Sequence, residues 1–344
     1  MLGPPLLPRN LEASVRDLDS KKPETRAAAI EDLVRHARGD ESVRARAVPL
    51  VSKRLEDEQP MVRAAAAVAL GDLDATESVT SLLLVMEDDS PHVRQMAINA
   101  LGEIADARAL PRLRRALKDA RPEVRYQSVI AFARVGDESG AKSEVDDAIF
   151  EASGDTDVAI AHIALRVAEE RLDAGNRPED RLLTRARGLA DAAESSPQVA
   201  LVAAILLAKA GDERGHALVA RAVRGDKIGG RAAEKEDERA AVELAGELGM
   251  EDLVGHLERR TWGALRFVRD TCPFHARIAL ARMGHDRATK EILADLDSSK
   301  REVVEGAVVS AGRARLAAAK SKIERLTAAI ADPELVREAL EKLA

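Results

Sequence analysis

Pro60-Met61-Val62-Arg63-Ala64-Ala65-Ala66-Ala67-Val68-Ala69-Leu70-Gly71 is the stretch from which the rest of the chain can be read. Its frame returns as Pro91-His92-Val93-Arg94 running to Leu101-Gly102, and as Pro122-Glu123-Val124-Arg125 running to Phe132-Ala133. The copies start at residues 60, 91 and 122, a constant step of 31 residues. Self-similarity at a fixed period of about 20–50 residues marks a stack of like units, none of which can bury its apolar face alone.

Each unit reads as two helices. Val79, Leu82, Leu83 and Met86 follow the i, i+3, i+4, i+7 spacing of a helix with one apolar face. Glu87-Asp88-Asp89-Ser90 interrupts it. Ser90 suits an N-cap, and Pro91 suits the first helical position, where its missing N–H is not needed. A second helix then turns Val93, Ala97, Ile98, Leu101 and Ile104 inward. Because Ile104 continues that stripe past Gly102, the glycine is expected to admit a neighbouring helix rather than to end its own.

Composition agrees with a stack of thin helices. Hydrophobic residues make up 46% of the 344 but aromatics only 2%, and alanine, the best helix former, carries much of the apolar share. Charged residues reach 33% with both signs interleaved, and the net charge is −7. No large block is strongly basic, which argues against wholesale phosphate binding. A single cysteine, Cys272, leaves no intrachain disulfide and suits a reducing compartment. The start of the chain has no basic region ahead of an apolar run of signal-peptide length. The longest apolar run, 199–208, is half the ~20 residues of a spanning helix and reads as a buried one. A soluble, cytoplasmic protein without membrane insertion is expected.

The repeated pattern Asp57-x-x-Pro60-x-Val62-Arg63, Asp88-x-x-Pro91-x-Val93-Arg94, Asp119-x-x-Pro122-x-Val124-Arg125 resembles HEAT repeats, most of all the short HEAT-like units of the phycobilisome-lyase type in the armadillo-like superfamily. The resemblance implies an all-α fold, an α-solenoid wound as a right-handed superhelix of about nine to ten helix pairs. It also implies a structural ladder along the stack, with Asp57, Asp88 and Asp119 pairing with Arg63, Arg94 and Arg125. Asp19 and Arg26 form an earlier, stretched copy around Pro23.

Regular repeats are expected over 11–140 and divergent ones over 141–344, where Ala159, Ala200, Ala276 and Val304 stand in place of the arginine. Two segments break the frame: a turn-rich connector near 173–181, and a glycine-rich, then charged, insertion near 224–238. Insertions in solenoids map to loops on one face.

Catalytic chemistry finds little footing. Gly225, Gly229 and Gly230 lack the preceding strand and the following Gly-Lys-Ser/Thr of a phosphate loop. None of the seven histidines precedes a Glu, unlike the His-Glu ligand pairs of the HEAT-type di-iron hydroxylases. Cys272-x-x-His275, with His285 nearby, could start a metal site, but a lone cysteine beside a proline at a helix end reads as structural. No metal, cofactor or catalytic residue is assigned.

The outward side of the second helices is more informative. With residues 62, 66, 69, 70 and 73 inward, 61, 64, 65, 68 and 72 face out, and in HEAT solenoids this helix lines the concave surface. Met61, Val68, Gln95, Met96, Asn99, Tyr126 and Ile130 then form an uncharged row in a chain that is one-third charged. Either partners dock on it, with Gln95 and Asn99 bonding a peptide backbone, or neighbouring repeats cover it. A second patch, Trp262, Arg266, Phe267 and Phe274, reads either as an anchor cluster or as an extension of the core stripe Leu253, Leu257, Leu265 and Val268. Most of the basic run Arg112, Arg114, Arg115, Lys118, Arg121 and Arg125 falls on a first helix, Arg125 already having its ladder role, and it reads as a solvated face balanced by Asp119 and Glu123.

The expectation is a non-catalytic scaffold that binds partner proteins through its concave face, as a monomer or weak oligomer. The resemblance alone raises a second reading, a subunit that attaches or removes a bilin chromophore. A third, nucleic-acid binding as in HEAT-like alkylpurine glycosylases, conflicts with the uncharged row and acidic chain.

Overall fold

Most repeats start their second helix on a proline, and that start sets the frame of the stack. In the computed structural model, which describes residues 10–194, 196–264, 272–326, 328 and 330–344, proline occupies the first turn of seven second helices. Contacts divide the chain into two units, Met1–Ala174 and Gly175–Ala344, and the division falls within the 173–181 segment.

The first unit stacks five helix pairs: α1 (Leu11–Asp17) with α2 (Pro23–Ala37), α3 (Glu41–Ser52) with α4 (Pro60–Asp72), α5 (Val79–Val85) with α6 (Pro91–Ile104), α7 (Leu110–Ala116) with α8 (Pro122–Glu138), and α9 (Lys142–Ala152) with α10 (Val158–Asp173). The second unit stacks five more: α11 (Asp180–Asp191) with α12 (Pro197–Lys209), α13 (His216–Arg224) with α14 (Lys235–Glu247), α15 (Val254–Trp262) with α16 (Pro273–Arg282), α17 (Asp286–Asp295) with α18 (Arg301–Arg313), and α19 (Lys320–Ile323) with α20 (Pro333–Lys342). Each unit is an all-α solenoid, in which a pair buries its apolar stripe against the next pair.

Adjacent second helices meet nearly backbone to backbone. A Cβ added to Gly71 would lie 2.9 Å from the Cα of Ala100, and one added to Gly102 would lie 2.9 Å from the Cβ of Ala131. The same approach recurs in the second unit, where a Cβ added to Gly246 would lie 2.5 Å from the Cα of Ala279 and one added to Gly312 would lie 2.9 Å from that of Ala339. Glycine is needed there for proximity, since helical φ would suit any residue.

Charged clamps tie successive repeats. Arg26 donates Nε and Nη2 to Asp57 at 2.8 and 2.7 Å, Arg63 to Asp88 at 2.6 and 2.8 Å, and Arg125 to Asp155 at 2.9 and 3.0 Å. Arg94 reaches Asp119 less squarely, at 3.3 and 3.2 Å. Each arginine spends Nη1 on a carbonyl at the mouth of its own repeat: Ser20, Asp57, Asp88 and Asp119 respectively. Each aspartate also accepts the N–H two residues on, for Asp57, Asp88, Asp119 and Asp155 alike. One residue pair therefore satisfies an inter-helix turn and joins two repeats. Asp19 does not face Arg26; it accepts from Arg54 at 2.5 Å. At the opposite helix ends Arg44 caps α4, donating to the carbonyls of Leu73 and Asp74 at 2.7 and 2.8 Å, where the helix dipole is negative.

Burial pushes the carboxyls of Asp57, Asp88 and Asp155 up, but hydrogen bonds from Arg26, Arg63 and Arg125 and from the turn N–H groups outweigh it and hold all three below the usual carboxylate range.

Four expectations need correction. Ala64 does not face out; it is 4% exposed, because the close approach of α6 covers it. Ala200, Ala276 and Val304 are core residues rather than vacant ladder positions, while Ala159 is exposed. The cations of this run are matched by the neighbouring repeats rather than by Asp119 and Glu123: Arg112 pairs with Glu87, Arg114 with Glu144 and Lys118 with Glu151, while Arg125, on the second helix α8, pairs with Asp155. The 224–238 insertion is shorter than expected, since its charged half from Lys235 is the first turn of α14. The remainder turns through an Ile228–Arg231 bridge with Ile228 buried.

Two predictions follow from these contacts. Gly102→Ala should destabilise by about 1–3 kcal/mol through overpacking. Gly306→Ala, in α18 with nothing within 4 Å of the new methyl, should instead stabilise by up to about 1 kcal/mol. Urea unfolding of the two variants should show opposite signs; equal signs would contradict the proximity argument. For the clamp, the folded pKa of Asp88 lies below its unfolded value, so its stabilisation is complete above about pH 4 and is lost as pH falls through the folded value. Asp88→Asn should therefore cost about 1–3 kcal/mol near pH 7. That difference should shrink progressively below about pH 4, and one that stayed constant down to pH 2 would refute the clamp.

Candidate docking groove

Counting from the clamp arginine of each second helix places the exposed side chains of the first unit in rows. Two residues before it come Glu24, Met61, His92 and Glu123; five after it come Glu31, Val68, Asn99 and Ile130; nine after it come Arg35, Asp72, Glu103 and Arg134. Between the first two rows lie Ala65 and, further along, Gln95, Met96, Tyr126 and Gln127. The rows align because the glycine approaches and clamps hold α2, α4, α6 and α8 in one register.

Across α2, α4 and α6 this face sinks into a groove of about 600 Å³. Met61, Val68 and Met96 line it together with alanines of α2 and α4, and Glu31, Arg35, Arg38, Asp72 and His92 border it. Met61 is 44% exposed, one of few large apolar side chains so open, while Val68 and Met96 are half-buried. Methionines adapt their shape and make polarisable contacts, which suits a surface that must mould to a partner. Gln95, Asn99, Tyr126 and Ile130 are half-buried on α6 and α8 and continue the row beyond the groove rather than lining it.

Asn99 is not wholly available to a peptide. Its Oδ1 accepts from Gln127 Nε2 at 2.9 Å, so the amide pair is already oriented across α6 and α8. Gln127 was missed in the sequence because it lies one position from the Ala64-Gln95-Tyr126 column. The contribution of α2 was missed because the first two repeats are offset by 37 residues, from Arg26 to Arg63, rather than by 31. The matching clamp arginines were the signal that could have set that register.

The second candidate patch lies in the other unit, and Arg266 and Phe267 fall outside the described residues. Trp262 is half-buried and donates Nε1 to Glu291 at 2.9 and 3.1 Å. Arg287 stacks 4.1 Å over its ring, and the His285 ring lies 5.4 Å away. Trp262 is thus held between α15 and α17, with its polar edge already satisfied. Phe274 instead packs edge-on against His275, at 5.4 Å. His275 Nδ1 and Arg313 share Glu243 Oε1 at 2.5 and 2.9 Å. Burial pushes the Glu243 carboxyl up, but the His275 hydrogen bond and Arg313 charge hold it below the usual range. Buried Cys272 lies 3.8 Å from Glu238 and His285 bonds Glu258, so the three residues weighed as a metal site do not converge. Among the described residues no three His, Cys, Asp or Glu side chains gather as metal ligands would, and no helix is long and apolar enough to cross a membrane.

The family model of HEAT repeats matches residues 13–89 and 79–166. No curated protein matches the chain. Among solved structures, it is similar to the Escherichia coli protein YibA at 16% identity and a TM-score of 0.51, over 81% of this chain and 93% of that one. A chain of the full-length AP-3 complex in an intermediate open conformation is similar at 13% identity and a TM-score of 0.56, over 97% of this chain and 68% of that one. The complex of CpcE and CpcF of phycocyanin lyase from Nostoc aligns with 100% of this chain and 89% of its own, at 16% identity, but its TM-score of 0.31 is too low to carry an argument. At these identities the likenesses speak for the fold alone. Residues 13–166 thus carry HEAT repeats, and helix pairs stack as an all-α solenoid in both units.

Proposed function

We propose that this protein is a non-catalytic docking scaffold whose first unit receives a partner protein along the second-helix face. The observation that carries this reading is the uncharged row through Met61, Val68, Gln95, Met96, Asn99, Tyr126 and Ile130, accessible to solvent and deepened by a groove, in a chain whose surface is otherwise densely charged. An uncharged strip of this kind is what a partner's apolar and amide groups need, and its methionines supply adaptable contact. The clamps and glycine approaches fix the helices beneath it, so little ordering entropy is lost on docking. A nucleic-acid partner is opposed by the exposed carboxylates on the same helices. The second patch is left with a structural role, since Trp262 already has Glu291, Arg287 and His285 around it.

The test is affinity purification with mass spectrometry of the tagged chain against a Met96→Glu variant. Met96 is half-buried at the groove, so the charge should remove specific partners while the melting temperature moves by only a few degrees. Retention of the same partners by the variant would overturn the reading.

A further inference from the structure

The charge of the molecule is carried almost entirely by one half. Residues 1–174 hold 32 Asp and Glu against 24 Lys and Arg, whereas 175–344 hold 28 against 29, so the net −7 belongs to the first unit. Within that unit the second helices have already used their cations. Arg26, Arg63, Arg94 and Arg125 are clamps, Arg35 pairs with Asp32, Arg134 with Glu103 at 2.6 Å, and Arg166 with Glu169. The carboxylates of Glu24, Glu31, Asp72, Glu123 and Glu170 are exposed on the same helices and make no ion pair among the described residues. Glu31 and Asp72 border the groove itself, and Glu24 and Glu123 occupy on α2 and α8 the position that Met61 and His92 occupy on α4 and α6. Arg38, just past α2, is the one groove guanidinium without an ion pair among the described residues.

An apolar floor with unmatched carboxylates on its borders defines the chemistry of its occupant. We infer that the groove selects a cationic amphipathic segment of a partner protein, with apolar side chains seated on Met61, Val68 and Met96 and Lys or Arg reaching Glu31 and Asp72. The inference rests on the docking reading and adds the sign of the partner's charge to it. Like charges would be repelled: an acidic segment would bring its carboxylates against Glu31 and Asp72 with only Arg38 to receive them. Steering by the first unit's net charge speeds encounter with cationic segments and weakens with salt.

Three fluorescein-labelled synthetic peptides test it, sharing the same leucine and phenylalanine positions and differing only in lysine, glutamine or glutamate at the flanking positions. Fluorescence anisotropy with the full chain at low salt should rank lysine above glutamine above glutamate, with at least a tenfold gap between the extremes that narrows in 0.5 M salt. The Glu31→Lys/Asp72→Lys variant should invert the ranking, whereas Glu77→Lys/Glu144→Lys, the same charge change on the first-helix side, should leave it in place. Met96→Glu should weaken all three peptides. Binding that responds to Met96→Glu but shows no charge ranking, or a ranking moved equally by both double variants, overturns the inference and leaves the docking reading standing. Failure of every peptide to bind, or binding indifferent to Met96→Glu, overturns the docking reading with it.

Discussion

The distance between neighbouring second helices governs everything else in this molecule. Where Gly71 meets Ala100 and Gly102 meets Ala131, nothing larger than an alanine methyl separates the two backbones. Interhelical distance follows from the side chains at the contact, and glycine against alanine sets it near its minimum. Protein interiors pack as densely as organic crystals, so such a contact fixes both the spacing and the axial register of the helices it joins. The scarcity of aromatics belongs to the same design: among the described residues Phe132 is the largest fully buried side chain, and alanines recur among the buried residues of every second helix of the first unit.

Close spacing creates an electrostatic problem that the clamps resolve. Turns between first and second helices leave N–H and C=O groups without partners of their own at the helix starts. Arg63 and Asp88 each satisfy a turn group and bond one another, and the arrangement repeats from Arg26 to Asp155. The bidentate geometry is the strong form of the arginine–carboxylate bond, and partial shielding from solvent raises its worth above that of a surface ion pair. With the arginines committed to the clamps, the same helices show their remaining surface as uncharged side chains bordered by carboxylates. A packing constraint thus shapes the chemistry of the exposed face.

Much of this was legible in the sequence because it repeats. The 31-residue step, the Pro-x-Val-Arg start and the Gly102 anomaly each encode a local geometric need that recurs unchanged. What could not be read were features set by relations between repeats. Ala64 looks outward by helical periodicity alone, and its burial depends on how near α6 comes. The partners of Arg114 and Lys118 lie on α9, and side-chain reach across a stack has no signature in a single repeat. In the second unit the Arg-based frame dissolved, because Ala276 and Val304 fill core positions there and the polar contacts are made by other pairs, such as Arg277 with Asp295 at 2.7 Å. The groove itself depended on α2, whose irregular offset hid it.

Hydroxyl-radical footprinting of the native methionines tests most directly the claim that tight second-helix packing leaves the Met61–Met96 row open. Met61 and Met96 border the groove, whereas Met86, at the end of a first helix, is 6% exposed. The account predicts that Met61 and Met96 oxidise several-fold faster than Met86 in the free protein. Equal protection of all three, or faster oxidation of Met86, would mean that the row is covered and would contradict it.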